Sequence, residues 1–163
     1  MREWRALTDT ELVELATRLR SLEWSWNLAD APQLVADFGW KLNNTLSELV
    51  KFDSGFGRST GSVSSLGGRA AEISVQVTSY AEEDAAGRAR IVDAFAGYTA
   101  ALTDAFGAPS ARIPGKYPEI RWVHGETTLR LIALSVAVDL GLMTNEGLAR
   151  HDEIVRLQEQ GLI

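Results

Sequence analysis

The stretch Glu72-Ile73-Ser74-Val75-Gln76-Val77-Thr78 decides the fold class, because polar and apolar side chains alternate along it without interruption. Successive side chains of a β-strand point to opposite faces of a sheet. The three β-branched apolar residues therefore share one face and the polar residues share the other. One apolar face and one polar face are typical of antiparallel sheets. The sequence predicts an antiparallel sheet that is buried on one side and solvated on the other.

Two helices are predicted on either side of this strand region. Thr8 and Glu11 match the capping-box pattern, and leucines at helical spacing behind them predict an amphipathic helix over 9–21. The longest helix is predicted over 82–106. Its first turn holds three consecutive acidic residues, 82–84, which the positive end of the helix dipole favours.

Two shorter helices complete the helical prediction. Asp30 caps the first of them, with Pro32 in its first turn, and Gly39 ends it. The second is predicted over 145–160, with Asn145 as its cap.

Further strands are predicted at 40–42, at 47–53 and at 119–123. In the segment 127–142 the apolar positions change from odd to even near 131–135. A change of parity requires a bulge or a tight turn. This segment therefore forms either one long bulged strand or two short strands.

The elements follow the order helix, strand, helix, strands, long helix, strands, helix, where the first strand is the aromatic extended segment 23–27. This grouping predicts one α+β domain over 1–163, with an antiparallel sheet covered by helices on one face. The Gly- and Ser-rich stretch 54–68 predicts a flexible loop with a weak edge strand near 61–66.

A short sequence echo links two of the predicted helix ends. Residues 35–39 read Val-Ala-Asp-Phe-Gly, and residues 103–107 read Thr-Asp-Ala-Phe-Gly. Glycine is common directly after helices, so shared helix-stop chemistry explains the echo as well as an internal duplication does.

Composition excludes several classes of function. The chain has 163 residues, no cysteine and a formal net charge of −6. It is long enough to fold without disulfides. Its acidity argues against a nucleic-acid partner. It has no apolar run long enough to span a membrane. The segment Met1–Arg5 lacks the apolar core of a signal peptide, so a cytoplasmic location is expected. The acidity indicates either solubility or a surface that docks a basic protein.

No cluster of metal ligands is convincing. His124, Glu126, His151, Asp152 and Glu153 are the grouping that most resembles one. The His-x-Glu pattern of zinc deaminases also needs a Pro-Cys-x-x-Cys segment, which this sequence lacks. Consecutive residues on a helix fan outward instead of converging on one ion. We therefore expect no metal and no other cofactor.

Carboxylates are the remaining candidates for catalysis. Asp53, Glu72, Glu119 and Asp139 lie in or beside predicted strands. A catalytic pair needs a separation of about 5–10 Å, which a sequence does not supply. A hydrolase with a carboxylate-only active site therefore stays open, and no residue is assigned as catalytic.

A protein-binding surface is the favoured interpretation of the polar sheet face. Glu72, Gln76, Thr78 and Tyr80 lie on that face of the alternating strand, and Asp53 extends it. Tyrosine offers a large contact area at a low entropic cost. The other interpretation, an ordinary solvated sheet face, explains the same pattern.

Several segments together carry a family resemblance. They include Trp4-Arg5-Ala6-Leu7-Thr8-Asp9, Trp24-Ser25-Trp26, Phe38-Gly39-Trp40 and Met143-Thr144-Asn145-Glu146, together with the alternating strand. Over nearly its whole length the chain resembles an uncharacterised family of small actinobacterial proteins that carry a domain of unknown function. That family supplies no catalytic residues. In size and charge, the chain is also loosely similar to immunity proteins of polymorphic toxin systems.

These observations favour a non-catalytic protein that binds a partner. The leading hypothesis is an immunity protein, either a monomer or a homodimer, that neutralises a partner toxin or enzyme, and a basic toxin domain is the candidate partner. The first alternative is an adaptor similar to a secretion chaperone. The second is the carboxylate hydrolase.

Overall fold

The computed structural model describes residues 3–163, which fold as one α+β domain. The α-helices of this part of the chain are α1 (Asp9–Arg20), α2 (Ala31–Asp37), α3 (Ala85–Phe106) and α4 (Asn145–Glu159). The strands are β1 (Lys41–Thr45), β2 (Leu49–Asp53), β3 (Gly61–Leu66), β4 (Arg69–Gln76), β5 (Ala111–Ile113), β6 (Glu119–His124), β7 (Thr127–Ala133) and β8 (Val138–Thr144). The fold class and the order of elements predicted from the sequence are confirmed.

All eight strands belong to one antiparallel sheet in the order β1-β2-β3-β4-β8-β7-β6-β5. The sheet consists of two four-stranded meanders that meet where β4 pairs with β8. The alternating strand of the sequence is thus a central strand, and Ile73 lies opposite Leu142 there. Helix α3 connects the two meanders.

Each meander follows a helix that ends in Phe-Gly, at the two places where the sequence echoes itself. Gly39 has φ 75° and Gly107 has φ 91°, a backbone region that favours glycine. Helix-stop chemistry is therefore present at both sites. The repeated order of a helix and four strands is also the arrangement that a duplicated unit would have.

One face of the sheet forms the apolar core. Alternate residues of the six strands from β2 to β6 along the sheet point to it and are buried: Val50, Phe52, Val63, Ile73, Val75, Ile120, Trp122, Leu129, Leu131, Val138, Leu140 and Leu142. Three helices cover this face through Leu12, Ala16, Leu19, Leu34, Val35, Ile91, Tyr98 and Leu102. Burial of this apolar surface is the main source of stability.

The opposite face is polar, and α4 packs against one end of it. The Asp152 carboxylate of α4 binds the Arg121 guanidinium of β6, and the Asn145 amide oxygen accepts a hydrogen bond from the Thr128 hydroxyl at 2.7 Å. Gly147 allows this close approach, because a Cβ there would lie 2.8 Å from the Cβ of Ala71. Three helices therefore cover the apolar face, and α4 lies on the other.

The segment 61–66 differs from its prediction as a weak edge strand. It forms β3, which has partners on both sides, β2 and β4. Val63 points into the core, and Gly61 leaves room for the ring of Phe52. The serines misled the prediction because they occupy the polar face, where small hydroxyl side chains suffice.

The segment 127–142 forms two strands, so that alternative is confirmed. The short turn 134–137 separates β7 from β8 and is closed by a hydrogen bond from the Leu134 N–H to the Ala137 carbonyl at 2.9 Å. Leu131 and Leu140 then lie opposite each other on the apolar face. The turn reverses the chain, and this reversal explains the change of parity.

Helix α3 begins later than predicted, and helix α4 has a different cap from the one predicted. Helix α3 begins at Ala85, and the Asp84 carboxylate caps it by accepting a hydrogen bond from the Gly87 N–H at 2.7 Å. The cap of α4 is Thr144, whose hydroxyl accepts from the Gly147 N–H at 3.0 Å. Side-chain caps of this kind satisfy amides that the helix itself leaves free.

Candidate functional site

Five charged side chains form one ion-pair network on the polar sheet face. The Arg130 guanidinium donates to Glu119 at 2.8 and 3.0 Å and to Glu72 at 2.8 Å. The Arg121 guanidinium donates to Glu119 at 2.5 Å and to both oxygens of Asp152 at 2.7 and 2.8 Å. The network crosses strands β4, β6 and β7 and ties α4 to the sheet.

Glu119 is the centre of this network, because the two arginines lie directly opposite each other on β6 and β7. Like charges in such a position repel each other, and a carboxylate between them removes the repulsion. Burial acts to raise the pKa of Glu119, but hydrogen bonds from Arg130 and Arg121 outweigh it and hold that pKa below its ordinary value. Arg130 and Glu119 are only 4% and 7% exposed, so both charges depend on their partners.

Gly141 provides the space that the Glu72–Arg130 pair occupies. It lies opposite Arg130 on β8, and a Cβ at this position would lie 3.2 Å from Oε2 of Glu72. A side chain on this glycine would crowd the carboxylate. The glycine interrupts the polar side of β8 so that an ion pair can cross the strand.

Asp139 differs from the carboxylates of the ion-pair network on this face. Within residues 3–163 it has no cation within ion-pair distance, unlike Glu72, Glu119 and Asp152. Burial, reinforced by the charge of Glu72, raises the pKa of Asp139 to about 6. Its carboxyl therefore takes up a proton as the pH falls towards 6.

The five residues predicted to bind a partner do not form one surface. The Asp53 carboxylate accepts hydrogen bonds from the N–H groups of Gly55 and Gly57 at 2.7 and 3.1 Å, so it orders the following loop. Glu72 belongs to the ion-pair network. Tyr80 is 47% exposed but lies beyond the end of β4.

Gln76 and Thr78 are buried. Gln76 is 6% exposed, and its side-chain amide donates to the Thr78 carbonyl at 2.8 Å. The Thr78 side chain is fully enclosed, and its hydroxyl accepts from the Val138 N–H at 3.2 Å. Strand alternation does not predict this burial, because Gln76 is enclosed although it lies in β4, and Thr78 contacts the first residue of β8. These two residues are therefore not available at the surface; a partner role for Asp53, Glu72 or Tyr80 stays a prediction.

Two open clefts meet at Trp26 and Arg69. The first has a volume of 230 Å³ and runs between the β3–β4 turn and the start of α4; Arg150 and Glu146 also line it. The second has a volume of 390 Å³; Trp26 and Arg69 line it as well, together with Ser25 and Glu48. Large aromatic side chains and arginines are the residue types that dominate binding surfaces.

Trp26 has an unusual backbone, with φ 54°. Bulky residues rarely adopt this conformation, and surrounding contacts must hold it. The Trp26 carbonyl accepts a hydrogen bond from the Ala70 N–H at 3.2 Å, and its ring packs against Trp24 with centroids 5.1 Å apart. The sequence analysis missed this site, since it treated 23–27 as an ordinary extended segment. The two tryptophans Trp24 and Trp26, followed directly by Asn27, were the feature of the sequence that could have indicated this site.

The histidines considered as metal ligands lie apart. His124 ends β6, and its Nδ1 lies 2.9 Å from a nitrogen of Arg20, whereas His151 lies in α4 beside Asp152. Over residues 3–163, no group of three or more metal-binding side chains is close enough to hold an ion. The same part of the chain contains no helix with both the length and the apolar character needed to cross a bilayer.

Comparison with known families gives one match, which extends over residues 10–144 and includes every strand and Trp26 and Arg69. The chain belongs to DUF6301, a family of unknown function. The expected membership of a family with a domain of unknown function is thus confirmed, whereas the actinobacterial origin stays a prediction. The DUF6301 match ends where α4 begins, so the helix that covers the ion-pair network lies outside it. No curated protein and no solved structure matches the chain.

Proposed function

We propose that this DUF6301 protein is a non-catalytic binding protein that neutralises a partner enzyme or toxin, as an immunity protein does. The observation that carries the proposal is the pair of clefts that meet at Trp26 and Arg69, because they combine an aromatic ring, an arginine and polar groups on an open surface. Such a surface suits contact with another protein. The whole chain has a net charge of −6, and this charge would steer a basic toxin domain towards the protein.

Occupied carboxylates argue against the hydrolase alternative. Glu72, Glu119 and Asp152 each bind an arginine, so their oxygens are engaged and their charges balanced. Asp139 has the raised pKa that an acid catalyst needs, but it lines neither of the two clefts. A carboxylate catalyst needs a place for substrate beside it.

The experiment that tests the proposal is purification of the tagged full-length chain from a native cell extract at low salt. We expect a stoichiometric partner that carries an enzyme or toxin domain, and we expect the purified chain to inhibit that partner at equimolar concentration. A cytoplasmic location and a complex that contains one or two copies of the chain follow from this proposal. Failure to retain any partner at low salt, where charge-steered contacts are strongest, would contradict it.

An inhibition assay also separates the proposal from the adaptor alternative. An immunity protein binds its folded partner and blocks activity, whereas an adaptor keeps its client extended. Tyr80→Ala tests the surface first predicted from the sequence, since Tyr80 is the aromatic residue of that surface and its side chain is exposed. Loss of binding in this variant would place the interface beyond the end of β4 and away from the clefts.

A further inference from the structure

The first cleft presents two arginines that have no carboxylate partner. Arg69 and Arg150 both line it, and among residues 3–163 neither has an acidic oxygen within 4.0 Å. The arginines of the polar face, Arg121 and Arg130, are by contrast fully engaged. Within residues 3–163, two guanidinium groups at one cleft therefore have no acidic partner.

The two guanidinium groups have different surroundings within the chain. The Arg150 guanidinium lies against Gly67, where a Cβ would overlap it, and Gly67 has φ 67°. The Arg69 guanidinium donates to the Ser25 carbonyl at 3.3 Å. A side chain that is already positioned loses less freedom when it binds a ligand, so the hydrogen bond of Arg69 prepares this group to receive an anion.

The ligand must also tolerate three acidic groups. Glu126 and Glu146 line the same cleft and Glu48 lines the second, and all three weaken the attraction of the clefts for a small free anion. A ligand that extends past Trp26 into the second cleft would gain a further contact there, with the hydroxyl of Ser47. A peptide segment has both the length and the backbone groups to do this.

We propose that the two clefts together bind an acidic peptide segment of a protein partner, with an aspartate or glutamate side chain between Arg69 and Arg150. Trp26 lines both clefts and provides the apolar surface against which the segment packs. A guanidinium fork binds a carboxylate through paired, charge-assisted hydrogen bonds. This inference rests on the proposed function, because it names the chemistry by which that partner is held.

The test uses a defined probe, the blocked tetrapeptide acetyl-Glu-Leu-Glu-Ser-amide, and its counterpart with glutamine in place of glutamate. Titration into the ¹⁵N-labelled full-length chain should shift the indole signal of Trp26 and the side-chain signals of Arg69 and Arg150. We expect the glutamine peptide to bind about 10-fold more weakly, because a charge-assisted contact is lost. Equal binding of the two peptides, or no shift at millimolar peptide, would overturn the inference.

Matched variants locate the site. Arg69→Gln and Arg150→Gln should each weaken binding of the glutamate peptide about 10-fold, since each removes half of the anion site. Arg156→Gln is the control, because Arg156 lies on the same helix but is exposed and paired with Glu153. Equal affinity of Arg150→Gln and Arg156→Gln for the peptide would overturn the inference.

Two further arms separate the possible outcomes. Inorganic phosphate should give weaker shifts than the glutamate peptide; equal or stronger shifts would indicate a free-anion site and overturn the peptide assignment. If the chain captures and inhibits a partner equally well with and without Arg69→Gln and Arg150→Gln, this inference fails while the proposed function stands. If the glutamate peptide binds as expected and no partner is retained from the extract, the acidic-peptide site stands and the neutralising role fails.

Discussion

The two faces of the sheet are built from the same strands but are stabilised in different ways. Arg130 and Leu131 are neighbours on β7, as Asp139 and Leu140 are on β8, and in each pair one residue faces the ion-pair network and the other the helices. The apolar face is stabilised by removal of its side chains from water, which needs no particular partner. The polar face depends on each charge finding its counterpart. We therefore expect loss of one member of the ion-pair network to cost at least as much as a cavity in the apolar core, because it leaves another charge unpaired.

The largest effect is expected for Arg130→Met, which tests the polar face at its most buried cation. This variant leaves Glu72 without a partner and Glu119 with one arginine instead of two. We expect the free energy of unfolding to fall by about 3–5 kcal/mol, the usual cost of breaking a buried pair. Chemical denaturation measures this change. A loss below about 1 kcal/mol, typical of surface pairs, would show that the network is in effect solvated.

The matching test of the apolar face is Leu140→Ala. Leu140 is fully buried and lies opposite Leu131, so its removal leaves a cavity between the sheet and the helices. We expect a loss of about 3 kcal/mol, measured by the same denaturation experiment. Leu162→Ala serves as the control, because that leucine is 64% exposed, and its curve should coincide with that of the unmodified chain. Similar curves for the two variants would contradict the assignment of the core to this face.

The smallest effect is expected at Asp139, the unpaired carboxyl of the polar face. Its pKa rises from 3.8 to about 6 in the folded chain, so the folded state binds the proton more tightly than the unfolded state does. The carboxyl therefore costs no stability below about pH 4, and its cost grows between about pH 4 and 6 and is complete above about pH 6. We expect Asp139→Asn to stabilise the chain by about 2 kcal/mol at pH 8 and to have little effect at pH 4. Denaturation at the two pH values measures the difference; an equal effect at both would contradict the assigned pKa.

The candidate site was harder to predict than the fold. The surface proposed from the alternation at Glu72 assumed that the polar side of the strand stays exposed as far as Thr78, but the side chains of Gln76 and Thr78 are both buried. The clefts at Trp26 bring together residues that are far apart in the sequence, such as Arg69 and Arg150. Neither residue lies in a motif, so a pattern within one segment gave no sign that they meet.

The sequence by itself determined the α+β class, the capping of α1 at Thr8 and the division of the strands into an apolar and a polar face. These features depend on local periodicity and on side chains that reach only a few residues along the chain. The tertiary structure alone decided the order of strands, the pairing of Glu119 with two arginines and the meeting of Arg69 with Arg150. Such contacts depend on which distant segments pack together, and that is set by the burial of the whole apolar face and not by any single stretch of residues.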